Sequence, residues 1–123
     1  MQPLETYAKG SESINFGRMS IDKIFTGDLS AVSKGEMVSA ATPVKGSAGY
    51  VAIEQVDGTL DGKKGTFVLQ HFGIMSSGKA SLQIEVVPDS GTNELQGISG
   101  KMSIRVEEGE HYYDFEYRLA ETS

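Results

Sequence analysis

The chain has 123 residues, no cysteine and a formal net charge of -6. That length fits one domain, residues 1–123, with enough core to fold without staples, and the missing cysteines exclude disulfides and every thiolate-ligated metal site. Residues 1–84 carry eight acids and eight bases, residues 85–123 nine acids and three bases, so the acidic end argues against nucleic acid and against an anionic membrane surface as partners.

In chain order, the opening residues show neither a basic segment nor an apolar one, which argues against a secretion signal and for a cytoplasmic protein. Leu4 to Ala8 reads as a short first strand. Arg18 to Phe25 alternates, with Met19, Ile21 and Phe25 on one face. Thr26-Gly27-Asp28 reads as a bend or bulge rather than a full reversal. Asp28 to Thr42 is then a long strand, interrupted near Lys34-Gly35 and ended by Pro43, which has no N–H to give a ladder.

Ser47 to Leu60 is the next strand. A corner at Asp61-Gly62, with its reversal near Gly62 to Lys63, leads into Gly65 to Met75. Ser76-Ser77-Gly78 is a hairpin loop before Lys79 to Val87. Pro88 to Leu95 is a polar, irregular connection. Gly97 to Glu107 carries Met102, Ile104 and Val106 on one face. Glu108-Gly109 is a two-residue turn, and His111 to Leu119 closes the chain with Tyr113, Phe115 and Tyr117 aligned. No amphipathic helix interrupts the series. The expected class is all-β: eight antiparallel up-and-down strands whose edges are hidden by closing into a β-barrel. A barrel of eight strands leaves room inside for side chains or one small ligand.

Few residues look like chemistry. Gln70 and His71 are adjacent in an apolar strand, so they point to opposite faces; alternation alone does not decide which is inside. Glu54 lies mid-strand in YVAIEQV. With the reversal near Gly62 to Lys63, it falls about opposite His71, where a Glu/His pair fixes the ring and forms an acid/base couple. Tyr113 and Tyr117 flank Phe115 in an aromatic row to which Tyr50, Phe67 and Phe72 are candidate additions. Such a row offers apolar area with hydroxyl handles. The two histidines show no metal-ligand spacing, and the glycine pairs at 46–49 and 97–100 are turns rather than phosphate loops. No metal and no cofactor is expected.

The segments Tyr50 to Glu54, Gly58 to Gly62, Gly65 to His71, Val87 to Thr92, Glu94 to Gly100 and His111 to Tyr117 together resemble an uncharacterised bacterial family of unknown function, over roughly Phe16 to Leu119. Its fold is similar to the allene oxide cyclase barrel. The resemblance implies a closed eight-stranded barrel with a cavity, and no known reaction. The reading that follows is a barrel binding a small apolar ligand in an aromatic-lined cavity, with Glu54, Gln70, His71, Tyr50, Tyr113 and Tyr117 as candidate lining. The alternative is a cofactor-independent isomerase or cyclase using Glu54, His71 and a tyrosine such as Tyr113. A third is an interaction protein that forms homo-oligomers through its walls and binds no ligand.

Overall fold

A computed structural model of the chain describes residues 1–119. Eight antiparallel strands form one sheet in sequence order: β1 (Pro3–Leu4), β2 (Asn15–Phe25), β3 (Leu29–Ala41), β4 (Ala48–Leu60), β5 (Lys63–Ser76), β6 (Lys79–Val86), β7 (Ser99–Glu107) and β8 (Glu110–Arg118). Three of the hairpins turn on two residues, Asp61-Gly62, Ser77-Gly78 and Glu108-Gly109, all with left-handed φ at both positions. This is the turn whose twist matches that of paired strands, and it favours glycine at its second position.

Several sequence expectations change. Thr26-Gly27-Asp28 is a full reversal: β2 and β3 pair antiparallel from Phe25 opposite Ala31 to Asn15 opposite Ala41. Gly27, at φ 108°, takes the conformation that lets three residues turn the chain. The ladder runs through Lys34-Gly35 without a break, and Gly35 is there for space, since a Cβ on it would collide with the Ile53 carbonyl oxygen. The first strand shrinks from Leu4–Ala8 to Pro3–Leu4, because past Leu4 the Glu5 carbonyl accepts a bond from the Arg18 guanidinium instead of joining a ladder. The polar connection after β6 is not merely irregular. It contains a 3-10 turn, Asn93–Leu95, that buries Leu95. Its Thr92 exchanges bonds with Thr66, and its Ser90 hydroxyl accepts from the Val68 N–H. It thereby satisfies the half of β5 that β6 is too short to pair.

The sheet curls around one core. Leu29, Val56, Leu60, Phe67, Leu69 and Leu95 are buried there, and Phe115 stacks on Phe67 with ring centroids 5.7 Å apart. At the curl's far end, β8 leans on the β2–β3 corner. Tyr113 meets Phe25 edge-on at 5.5 Å and donates to the carbonyls of Thr26 and Leu29. The expected closed barrel is nevertheless not what forms. The sheet begins at β1 and ends at β8, and no backbone ladder joins the two ends among the described residues. β1 pairs over only two residues, too few to carry a seam, and β8 is held instead by side chains reaching the β2–β3 corner and the β4–β5 turn. None of the described residues forms a helix long and apolar enough to cross a membrane.

Candidate functional site

The inner face of the sheet carries one charged cluster, on β2 to β5. Glu54 of β4 is fully buried, with 0 % exposure, and His71 of β5 is 5 % exposed. His71 Nε2 lies 2.5 Å from Glu54 Oε2. The Ser33 hydroxyl on β3 donates to Glu54 Oε1 at 2.7 Å, and Lys23 Nζ on β2 donates to Oε2 at 3.2 Å. Lys23 is about one-third exposed, so the cluster reaches solvent through its ammonium end. Sheet register explains the convergence. Lys23 stands opposite Ser33, and Glu54 opposite Gly35. Gly35 has no side chain to fill the inward space beside the carboxylate, so neighbours one position along reach it instead.

The expected Glu54–His71 contact forms, but diagonally. The turn centres on Asp61-Gly62, not Gly62-Lys63, which shifts the register by two residues. Glu54 is then opposite Leu69, and His71 opposite Ala52. Both side chains stay on one face, and a diagonal pair of long side chains still meets.

Burial raises the Glu54 pKa. The hydrogen bonds from His71 and Ser33, with the Lys23 ammonium beside them, more than offset this and pull it from 4.5 to about 2. The carboxylate is therefore ionised at neutral pH. An ionised carboxylate can only accept, so in the neutral imidazole the proton sits on Nε2 and Nδ1 keeps its lone pair. Nδ1 makes no hydrogen bond among the described residues. The row beside His71 on the inner face is Ser39, Tyr50, Gly73 and Leu82, each opposite the next across β3 to β6. The Tyr50 ring lies over Gly73, where any Cβ would collide with it.

Comparison with known proteins bears on what this arrangement is for. The model of a family described as a protein of unknown function, DUF3224, matches residues 1–117. The chain belongs to the DUF3224 family. A crystal structure of a DUF3224 protein of unknown function from Shewanella oneidensis MR-1 is 55 % identical, with a TM-score of 0.95 over 98 % of this chain and 90 % of that one. No curated protein matches. The family thus fixes kinship and fold, and the chemistry has to be read from the residues.

Within this DUF3224 chain the other candidates scatter. Gln70 points outward and is exposed, which settles the choice between it and His71. Tyr50 is half-buried on the inner face, its pKa raised by burial. Tyr113 is spent on the β2–β3 corner. Burial raises its pKa, while the bond to Leu29 works the other way. Tyr117 donates to Asp61 in the β4–β5 turn, a bond that together with some burial lifts its pKa to about 12. These two tyrosines latch the curl rather than line a site with His71. Phe72, a candidate for the aromatic row, faces outward. Ser33 and Lys23 were missed by motif reasoning. Their signal was present: each occupies an inward position of an alternating strand, Lys23 between Ile21 and Phe25, Ser33 two residues after buried Ala31.

Proposed function

We propose that this protein binds a small molecule on the inner face of its curled sheet, with His71 as the polar anchor and Glu54 as the group that fixes the ring. The observation that carries the reading is the buried Glu54–His71 pair, which engages Nε2 and leaves Nδ1 without a hydrogen bond among the described residues. A carboxylate buried for stability alone is a poor investment, since apolar side chains of the same volume do as well or better. Here three donors hold the carboxylate ionised, and whenever the ring is neutral its Nδ1 carries the lone pair. The Tyr50, Gly73 and Leu82 row beside it supplies apolar contact for the rest of a ligand. The expected allene oxide cyclase-like cavity fits this reading in its curled all-β wall, although no backbone ladder closes the sheet among the described residues.

A second reading rests on the same nitrogen. A lone pair backed by a buried carboxylate accepts a proton and returns it, the chemistry of an isomerase or cyclase that needs no cofactor. In that case Tyr113 takes no part, because its hydroxyl is committed to two backbone carbonyls.

Native mass spectrometry after gentle purification, followed by incubation with a cell-extract metabolite pool, tests both. A retained adduct that shifts the His71 ring resonances, and that is lost in His71→Gln, supports binding. Consumption of one compound without retention supports the enzyme. No adduct, no consumption and no response of the His71 ring to the pool overturns the site. Reading the ring in the unmodified protein keeps the test decisive even if the variant folds poorly.

A further inference from the structure

The outer wall of the sheet carries a feature the inner site does not use. Val38, Val51 and Phe72 stand directly opposite one another across β3, β4 and β5 on the solvent side, each about half exposed. With Phe16 and Ile74 they floor a trough of about 640 Å³. Isolated apolar residues on a surface are ordinary, but a row paired across three strands and enclosed on one side is a concave site of drug-like size.

Its enclosing wall is the segment Thr6–Ala8. That strap is tied down just before it crosses. β1 pairs with Met19 and Arg18, Ser20 N–H donates to the Gln2 carbonyl at 2.8 Å, and Arg18 Nη1 donates to the Glu5 carbonyl at 3.1 Å. Arg18 and Glu36 are the trough's charged lining residues. They are spent on each other: Arg18 Nη2 meets Glu36 Oε1 at 2.7 Å, and Nε meets Oε2 at 3.3 Å. A fork already closed on a carboxylate offers no free charge to a ligand.

From this we infer a second binding site, on the outer wall, for a neutral and largely apolar small molecule. The closed Arg18–Glu36 pair excludes a net-charged ligand, because a carboxylate or ammonium entering the trough would lose its water and meet no free countercharge. Thr6–Ala8 lines the same trough, so the apolar row forms part of a concavity rather than a flat sheet face. The Tyr7 side chain projects fully into solvent and does not fill the trough, which leaves the floor to the ligand. His71 faces the other side of the sheet and does not line the trough, although Ser39, Tyr50 and Gly73 of the row beside it do.

The test is a fluorescence titration with N-phenyl-1-naphthylamine, a neutral apolar probe, alongside its sulfonated anionic relative. The neutral probe is expected to bind one per chain at micromolar levels, with the anionic one at least about tenfold weaker. Val51→Glu places a charge on the floor without touching the core and is expected to weaken the neutral probe by about tenfold or more. Removal of residues 1–9 is expected to weaken it as well, and His71→Gln to leave it unchanged. Probe-induced NMR shifts should fall on Val38, Val51 and Phe72. The inference is overturned by absence of binding, by binding that Val51→Glu leaves intact, or by concentration-dependent dimerisation that Val51→Glu abolishes. The last result would make the trough an interface between copies.

Discussion

Glu54 is where sequence, burial and charge meet most tightly. Its folded pKa of about 2 lies below the ordinary 4.5, so between those values the unfolded chain binds more protons than the folded one. Stability from this group is full above about pH 4.5 and drains away as pH falls toward about 2. The expected loss across that window is about 3 kcal/mol. Urea unfolding at pH 6 and pH 3 samples about 2 kcal/mol of it, and Glu54→Gln should flatten the difference. Ser33→Ala removes one donor to a buried charge and should cost about 2 kcal/mol at neutral pH. A cost near zero for Ser33→Ala would mean that water replaces the hydroxyl and that the carboxylate is less enclosed than the geometry shows.

Among the elements, the two glycines Gly35 and Gly62 make opposite predictions. At Gly62 a Cβ has open space but the backbone is left-handed, so Gly62→Ala costs only conformational strain, about 1 kcal/mol. At Gly35 the backbone is ordinary strand, yet a Cβ would strike β4 beside Glu54. Gly35→Ala should cost more, about 2–3 kcal/mol, and should loosen the Glu54 cluster as well. Thermal melts rank the two directly. The same pair shows what a sequence reveals about a strand. Asp61-Gly62 announced its hairpin through a turn type that few residues satisfy. Gly35 looked like an interruption, because nothing in a single strand shows how closely its neighbour approaches. Alternation aligned Tyr113, Phe115 and Tyr117 on one face of β8 and left the side of His71 open, since both faces of β5 are apolar. The register came out two residues off because a turn displaced by one residue moves every partner by two.

At the scale of the whole molecule, the curl is held where β8 meets the β2–β3 corner, and it is held by side chains. Tyr113→Phe keeps the ring against Phe25 but deletes both bonds to the corner carbonyls. It should cost about 1–2 kcal/mol and speed amide exchange at the β2–β3 corner and in β8 while leaving β4 and β5 protected. Equal acceleration across the sheet would show that the corner is not a separate latch. Strand number was readable from the hairpin rhythm, with the β2–β3 reversal misread as a bend; closure was not, because whether a sheet seals depends on how the first and last strands meet, and the first strand here is two residues long. The inner and outer faces then divide the molecule's chemistry, an imidazole backed by a buried carboxylate on one side and a neutral apolar trough on the other.

Nitrogen-detected NMR of the His71 ring, at a pH where the imidazole is neutral, bears on the central arrangement with nothing in between. The proton should reside on Nε2 in a strong hydrogen bond to Glu54, with Nδ1 bare and responsive to added metabolites. A ring protonated on Nδ1, or a Glu54 carboxyl titrating near 4.5, would contradict it.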